Sequence, residues 1–213
     1  MPRLLLLTDD RFVDAREGSS VYARHAATHL LDDAFALPGH SRVVSWSGTL
    51  ADAPFASDPR NWMKPGQDAL DTALDHWAGE LERAGTTLLL RPHARHLLND
   101  APGILRLLRS RAGQPFGLAL DPAALLEVSM LDRTGEHLAR LFETLGELAD
   151  LILLRDAAVS DDGADLRPCP PGEGVLPGDV LRELLRQVPS DLPLACDDPA
   201  AFPWAGVHAA PAS

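Results

Sequence analysis

Short apolar runs that stop at a polar or charged residue recur along the chain. Leu4 to Leu7 stops at Thr8-Asp9-Asp10, Leu88 to Leu90 at Arg91-Pro92-His93, and Phe116 to Leu120 at Asp121-Pro122. Leu151 to Leu154 stops at Arg155-Asp156, Leu192 to Cys196 stops at Asp197-Asp198, and Val43-Val44 leads into Ser45-Trp46-Ser47-Gly48. Runs of this length between breakers favour strands. Apolarity without alternation implies burial on both faces, as in a parallel sheet.

The segments between these runs carry a helical period. From Asp68 to Ala84 the apolar positions Leu70, Leu74, Trp77 and Leu81 form one stripe, and Gly85 follows as a stop signal. Pro102 to Ala112 repeats the pattern after Asn99-Asp100 as candidate caps, and Gly113 closes it. Thr134 to Leu148 and Pro177 to Val188 do the same, and Ser19-Ser20 opens a further predicted helix running to about Ala36. Alternating strands and helices mean an α/β fold with a parallel sheet, either doubly wound or closed as a barrel. Thr49 to Gly66 is predicted as a long loop. Ala157 to Leu176, rich in Gly, Pro and Asp, has room for one short strand.

Composition narrows the function classes. The chain has 213 residues, 46% hydrophobic and 23% charged, which supports one sizeable core and excludes disorder. No apolar run approaches the ~20 residues a membrane span needs. A formal net charge of -12 argues against a nucleic-acid partner, which calls for a basic face. The cysteines, Cys169 and Cys196, form neither a disulfide framework nor a CxxC zinc motif and suit reduced thiols in a cytoplasm. The leucine run at the start ends too early for a signal peptide.

The middle of the chain carries a resemblance. Leu88-Leu89-Leu90-Arg91-Pro92-His93, Asn99-Asp100 and Phe116 to Pro122 follow a familiar order and spacing. So do Ala149 to Asp156, Pro171-Gly172-Glu173-Gly174 and Leu192 to Asp197. The succession from Val43 to Asp197 resembles the xylose isomerase-like TIM barrels, the superfamily of sugar phosphate isomerases/epimerases and endonuclease IV. The resemblance implies a (β/α) barrel with a divalent metal, Mn, Mg, Co or Zn, held at the mouth where the strand ends converge. Residues 1–198 are then one TIM-like α/β domain, and 199–213 a Pro/Ala-rich tail.

Set against the family pattern, much of the metal set is missing. Arg91 stands where the resemblance expects a Glu ligand, Ala124 falls near one His position and Leu153 at another. His93 and Asp121 match, Asp156 matches the Asp ending its motif, and Cys196 or Asp197 occupies the last ligand position. Asp121 and Asp197 are the residual metal candidates, and the depleted set favours no metal. A full (β/α)₈ barrel typically needs about 250 residues. The chain reads as about six or seven units with the first one missing. Such a barrel is either compacted, or open with its edge buried in a homodimer.

The resemblance assigns Asp121, Asp156 and His93 to acid/base chemistry, and Arg91, Asp9 and Glu173 to binding a sugar or sugar phosphate. Arg91 also has a structural reading, as a salt bridge that replaces the metal between carboxylates, and this reading is preferred. Other motifs carry less. His25 and His29 lack the Glu of a zinc protease because Ala26 stands there, no GxSxG is present, and Asp161-Asp162-Gly163 reads as a turn. Two functions follow. One is a sugar phosphate isomerase/epimerase-like enzyme; the other is a metal-free pseudoenzyme that binds a ligand or partner.

Overall fold

Residues one apart on a strand point to opposite faces, so a strand buried on both faces must serve two cores. The computed structural model, which describes residues 3–8, 10–169 and 172–198, has this arrangement. Its chain order begins β1 (Leu4–Leu7), β2 (Arg11–Asp14), β3 (Ser20–His29) and β4 (Arg42–Trp46). It continues α1 (Lys64–Ala84), β5 (Thr87–Arg91), α2 (Ala101–Ser110), β6 (Phe116–Leu120), α3 (Thr134–Leu145) and β7 (Leu151–Leu154). It ends β8 (Asp156–Val159), β9 (Leu166–Cys169), α4 (Gly178–Leu184) and β10 (Leu194–Cys196). Eight strands close a barrel in the order β1-β10-β7-β6-β5-β4-β3-β2, and β8 and β9 form a separate hairpin.

One face of each strand fills the barrel. Leu5, Phe12, Tyr22, Val44 and Leu89 meet Ala119, Leu151, Leu153 and Ala195 inside it. The alternate residues, such as Val43, Leu88, Leu90, Leu118 and Ile152, pack outward with Leu74, Leu81, Ile104 and Leu138 of the helices. Helix ends follow the expected chemistry. Gly85 ends α1 in the left-handed region at φ 62°, which a glycine adopts without a Cβ clash. Asp100 accepts a hydrogen bond from the Gly103 amide at 2.7 Å to cap α2.

The helix predicted from Ser19 to about Ala36 is instead β3. Its partners are β2, antiparallel, and β4, parallel. Tertiary pairing overrides a helical spacing here, because Tyr22 must enter the barrel and its ring packs edge-on to Phe12 at 6.0 Å. The same correction resolves the short chain. Strand β2 runs antiparallel between β1 and β3 and takes the place of a βα unit. Two tight connections close the barrel in 26 residues from Leu4 to His29. The compacted alternative holds, and the open strand edge that motivated a homodimer does not exist among the described residues. The loop predicted from Ala157 to Leu176 contains β9 and most of β8, two strands instead of one, turning at Asp161-Asp162-Gly163. Helices α3 and α4 stop earlier than the apolar stripes do, α3 passing into a short 3-10 turn at Gly146–Leu148. Asp9 and the tail 199–213 lie outside the described residues.

If β2 is the strand that closes the barrel, its inward ring matters to the whole fold. Phe12→Ala is expected to lower unfolding free energy by about 3–5 kcal/mol in a urea titration, the range for a fully buried aromatic. A loss below about 1 kcal/mol would show that β2 is dispensable.

Candidate active site at the barrel mouth

The mouth is one pleat above the barrel core. Two residues beyond each inward side chain, the strands present Leu7, Arg24, Trp46, Arg91, Asp121, Arg155 and Asp197. Seven of the eight barrel strands are parallel, so these ends converge. Above them lies a cavity of about 430 Å³. It is walled by Trp46, Arg91, His93, Asp121 and Arg155 from the barrel, and by Asp165, Leu166 and Arg167 from the hairpin.

Arg91 and Asp121 form the floor. They are 3% and 1% exposed. Arg91 donates from Nε to Asp121 Oδ2 at 3.1 Å, and Nη2 bonds the same oxygen. Asp121 Oδ1 accepts from the Ala124 amide at 3.3 Å. The guanidinium lies 3.8 Å from the centre of the Trp46 ring, a cation–π contact. Burial lowers the Arg91 pKa to about 10 against the opposing pull of Asp121, and Arg155 and Arg24 lower it further, so the group stays charged at neutral pH.

His93 and His96 are neutral. His93, Phe55, Trp46 and His96 form an aromatic cluster with ring centres 4.9–5.6 Å apart. Burial pushes His93 down to about 4 and His96 down to about 3. His93 Nδ1 accepts the Arg95 amide at 3.1 Å, so its proton is on Nε2. His96 Nε2 meets the Pro54 carbonyl at 2.7 Å and donates to it.

Asp156 holds backbone. Its buried carboxylate accepts from the amides of Ala157 at 2.8 Å, Gly172 at 2.9 Å, and Gly174 and Leu176 at 3.1 Å each. A Cβ at Gly174 would run into that carboxylate and the Ala157 carbonyl, so the glycine is needed for the close approach. Asp156 thereby ties the Gly172-Glu173-Gly174 turn to the root of the hairpin. Glu173 is exposed on this turn, outside the cavity wall. Arg95 and Asp165 form an ion pair that fastens the hairpin across the mouth.

The structure therefore brings Arg91, His93, Asp121 and Asp156 to one cavity and leaves Glu173 outside it. Asp197 faces Arg155, whose Nε donates to it at 3.1 Å. Sequence reasoning missed Trp46, Arg155, Arg24 and the hairpin residues Asp165 and Arg167. Trp46 and Arg155 sit two residues beyond inward Val44 and Leu153, a spacing that could have found them.

Three solved structures share this architecture. The 3-keto-D-glucoside 4-epimerase from E. coli matches with a TM-score of 0.51 at 17% identity, over 78% of this chain and 61% of that one. A probable 3-DHS dehydratase from Bacillus anthracis matches with a TM-score of 0.51 at 14% identity, over 74% and 57%. D-allulose 3-epimerase from Methylomonas sp., solved with D-allulose, gives 0.51 at 13% identity, over 74% and 49%. This chain has a TIM-like α/β barrel fold. At these identities the likeness concerns fold alone, and the chain spans about half to three-fifths of the length of those proteins. No protein-family model matches the sequence, and no curated protein is significantly similar to it.

The donor set of this barrel does not fit the divalent metal that the resemblance implies. Among the described residues no three His, Cys, Asp or Glu side chains gather into a metal-binding group. Arg91 stands at one expected ligand position, and the candidates Asp121 and Asp197 each face a guanidinium. A cation there would meet like charge and would have to displace Arg91.

The neutral histidines carry a pH signature. Folded, His93 and His96 stay unprotonated down to about 4 and 3, whereas in the unfolded chain they titrate near 6.5. The unfolded state therefore binds more protons in that window, so stability is full above pH 6.5 and falls as pH drops toward 4. Each histidine contributes about 1.4 kcal/mol per pH unit while it differs between states. Urea titrations at pH 7 and pH 5 should show a loss of roughly 2–4 kcal/mol, and a smaller loss in the His93→Gln, His96→Gln double variant. Equal losses in both proteins would contradict the assignment.

Proposed function

We propose that the protein is a metal-free binding protein that takes a small molecule of the sugar or sugar phosphate class at the barrel mouth, and that it is not an isomerase. The observation that carries this reading is Arg91, bonded to Asp121 and stacked on Trp46 where the resemblance expects a metal ligand. Proton transfer beside a carbonyl needs a base that titrates near the working pH and an open lone pair. Asp121 is occupied by Arg91 and the Ala124 amide, and Asp156 by four amides. His93 is neutral, with its acceptor nitrogen used by Arg95. Each acid/base candidate is thus committed to holding structure.

What remains at the mouth is recognition. The cavity of about 430 Å³ has the size of a small-ligand site. Trp46, Phe55 and His93 offer ring faces and edges to the apolar side of a sugar ring, and His93 Nε2–H is a neutral donor for a hydroxyl. The sugar epimerases among the solved structures support the ligand class. The two free thiols, Cys169 and Cys196, support a cytoplasmic setting. No helix among the described residues is long and apolar enough to cross a membrane.

Calorimetry with a panel of ketoses, aldoses and their phosphates, with and without EDTA, tests the reading. Binding that EDTA leaves unchanged, with no turnover detected by NMR, is the expected result. Metal-dependent epimerisation or isomerisation of any panel member would overturn it.

A further inference from the structure

Arginines gather around the cavity at the mouth. Arg91 is committed to Asp121, and Arg95 to Asp165 and the Phe55 carbonyl at 3.1 Å. Two others differ. Arg155, at the end of β7, gives only Nε to Asp197, and its two terminal nitrogens make no hydrogen bond among the described residues. The Arg167 side chain, exposed on β9, makes no hydrogen bond or salt bridge among them, and the Asp162 carboxylate is near enough to feel its charge. Both residues line the same cavity, one from the barrel wall and one from the hairpin.

The carboxylates around the cavity do not neutralise this pair of forks. Asp121, Asp165 and Asp197 each have a guanidinium partner, and Asp156 is held by amides. Glu127 is exposed at the rim. Arg24, from β3, also lines the cavity and donates to the Thr8 carbonyl at 3.0 Å. Like charges gathered in a concave, partly dry site favour an incoming anion, although the chain as a whole carries -12.

We propose that Arg155 and Arg167 form a clamp for an oxyanion, so that the ligand is a phosphate ester or carboxylate derivative of a small polar molecule. Guanidinium forks match both groups with paired N–H donors, and Arg91 acts as a positioning residue beneath them. The proposal rests on the sugar-binding reading and specifies which end of the ligand is recognised. The hairpin contributes half of the clamp.

The test is calorimetric, on the full chain, with inorganic phosphate, D-fructose 6-phosphate, D-gluconate and D-fructose. Two variants, Arg167→Ala and Arg155→Met, are chosen because Arg167 is exposed and the partner left by Arg155, Asp197, is 42% exposed in its side chain. The expected result is that at least one anion binds more tightly than D-fructose, and that each variant weakens that anion about tenfold or more while leaving D-fructose unchanged. Preference for phosphate over gluconate, or the reverse, names the group. Binding of D-fructose at equal strength to its phosphate, unaffected by either variant, would overturn the clamp and leave the sugar-binding reading standing. Failure of every compound to bind would overturn both.

Discussion

A buried ion pair sets the character of this mouth. Arg91 and Asp121 are almost fully enclosed, and two hydrogen bonds join them. Taking both charges from water is expensive, and it is offset only when geometry and further bonds are good. Here the further partners are in place: the Trp46 ring covers the guanidinium and the Ala124 amide holds the second carboxylate oxygen. Once that pair exists, a cation at these strand ends would have to displace Arg91, and both carboxylate oxygens of Asp121 already accept hydrogen bonds. Removing one partner would strand the other as a buried charge, which makes the pair resistant to loss.

The economy of the barrel follows a second constraint. Eight inward faces are needed to fill the interior with side chains. The barrel reaches eight strands with four α-helices among the described residues, because β1, β2 and β3 are joined by tight connections. The antiparallel β2 supplies Phe12 to the interior as a parallel strand would. The other departure is the β8–β9 hairpin, rooted by Asp156 and fastened by Arg95 and Asp165, which gives the mouth a roof.

Much of this was readable in the residues. Strands β4 to β7 and β10 are legible because burial on both faces leaves unbroken apolar runs, and α1 and α2 because their stripes end at Gly85 and begin at Asp100. Strand β3 is not legible. It places Tyr22 in the core but Arg24 in the polar mouth, which breaks alternation, while Ala23, Ala26 and Ala27 favour a helix. Strand β2, Arg11-Phe12-Val13-Asp14, is too short and too charged to stand out. In the site, Arg91 and Asp121 are legible as residues that end apolar runs. The role of Asp156 is not, because its four amide partners come from its neighbour Ala157 and from a turn sixteen to twenty residues away. Arg167 belongs to a strand that only its pairing with β8 reveals.

The central claim is that Arg91 and Asp121 act as one structural unit in place of a metal centre. A double-mutant cycle with Arg91→Met, Asp121→Asn and the pair measures this directly by urea unfolding. Each single change is expected to destabilise by about 3–5 kcal/mol, because it leaves a buried group without its partner. The double variant is expected to recover at least 1 kcal/mol relative to the sum of the two, within the range for residues in contact. Single losses that simply add, within about 0.5 kcal/mol, would contradict the account.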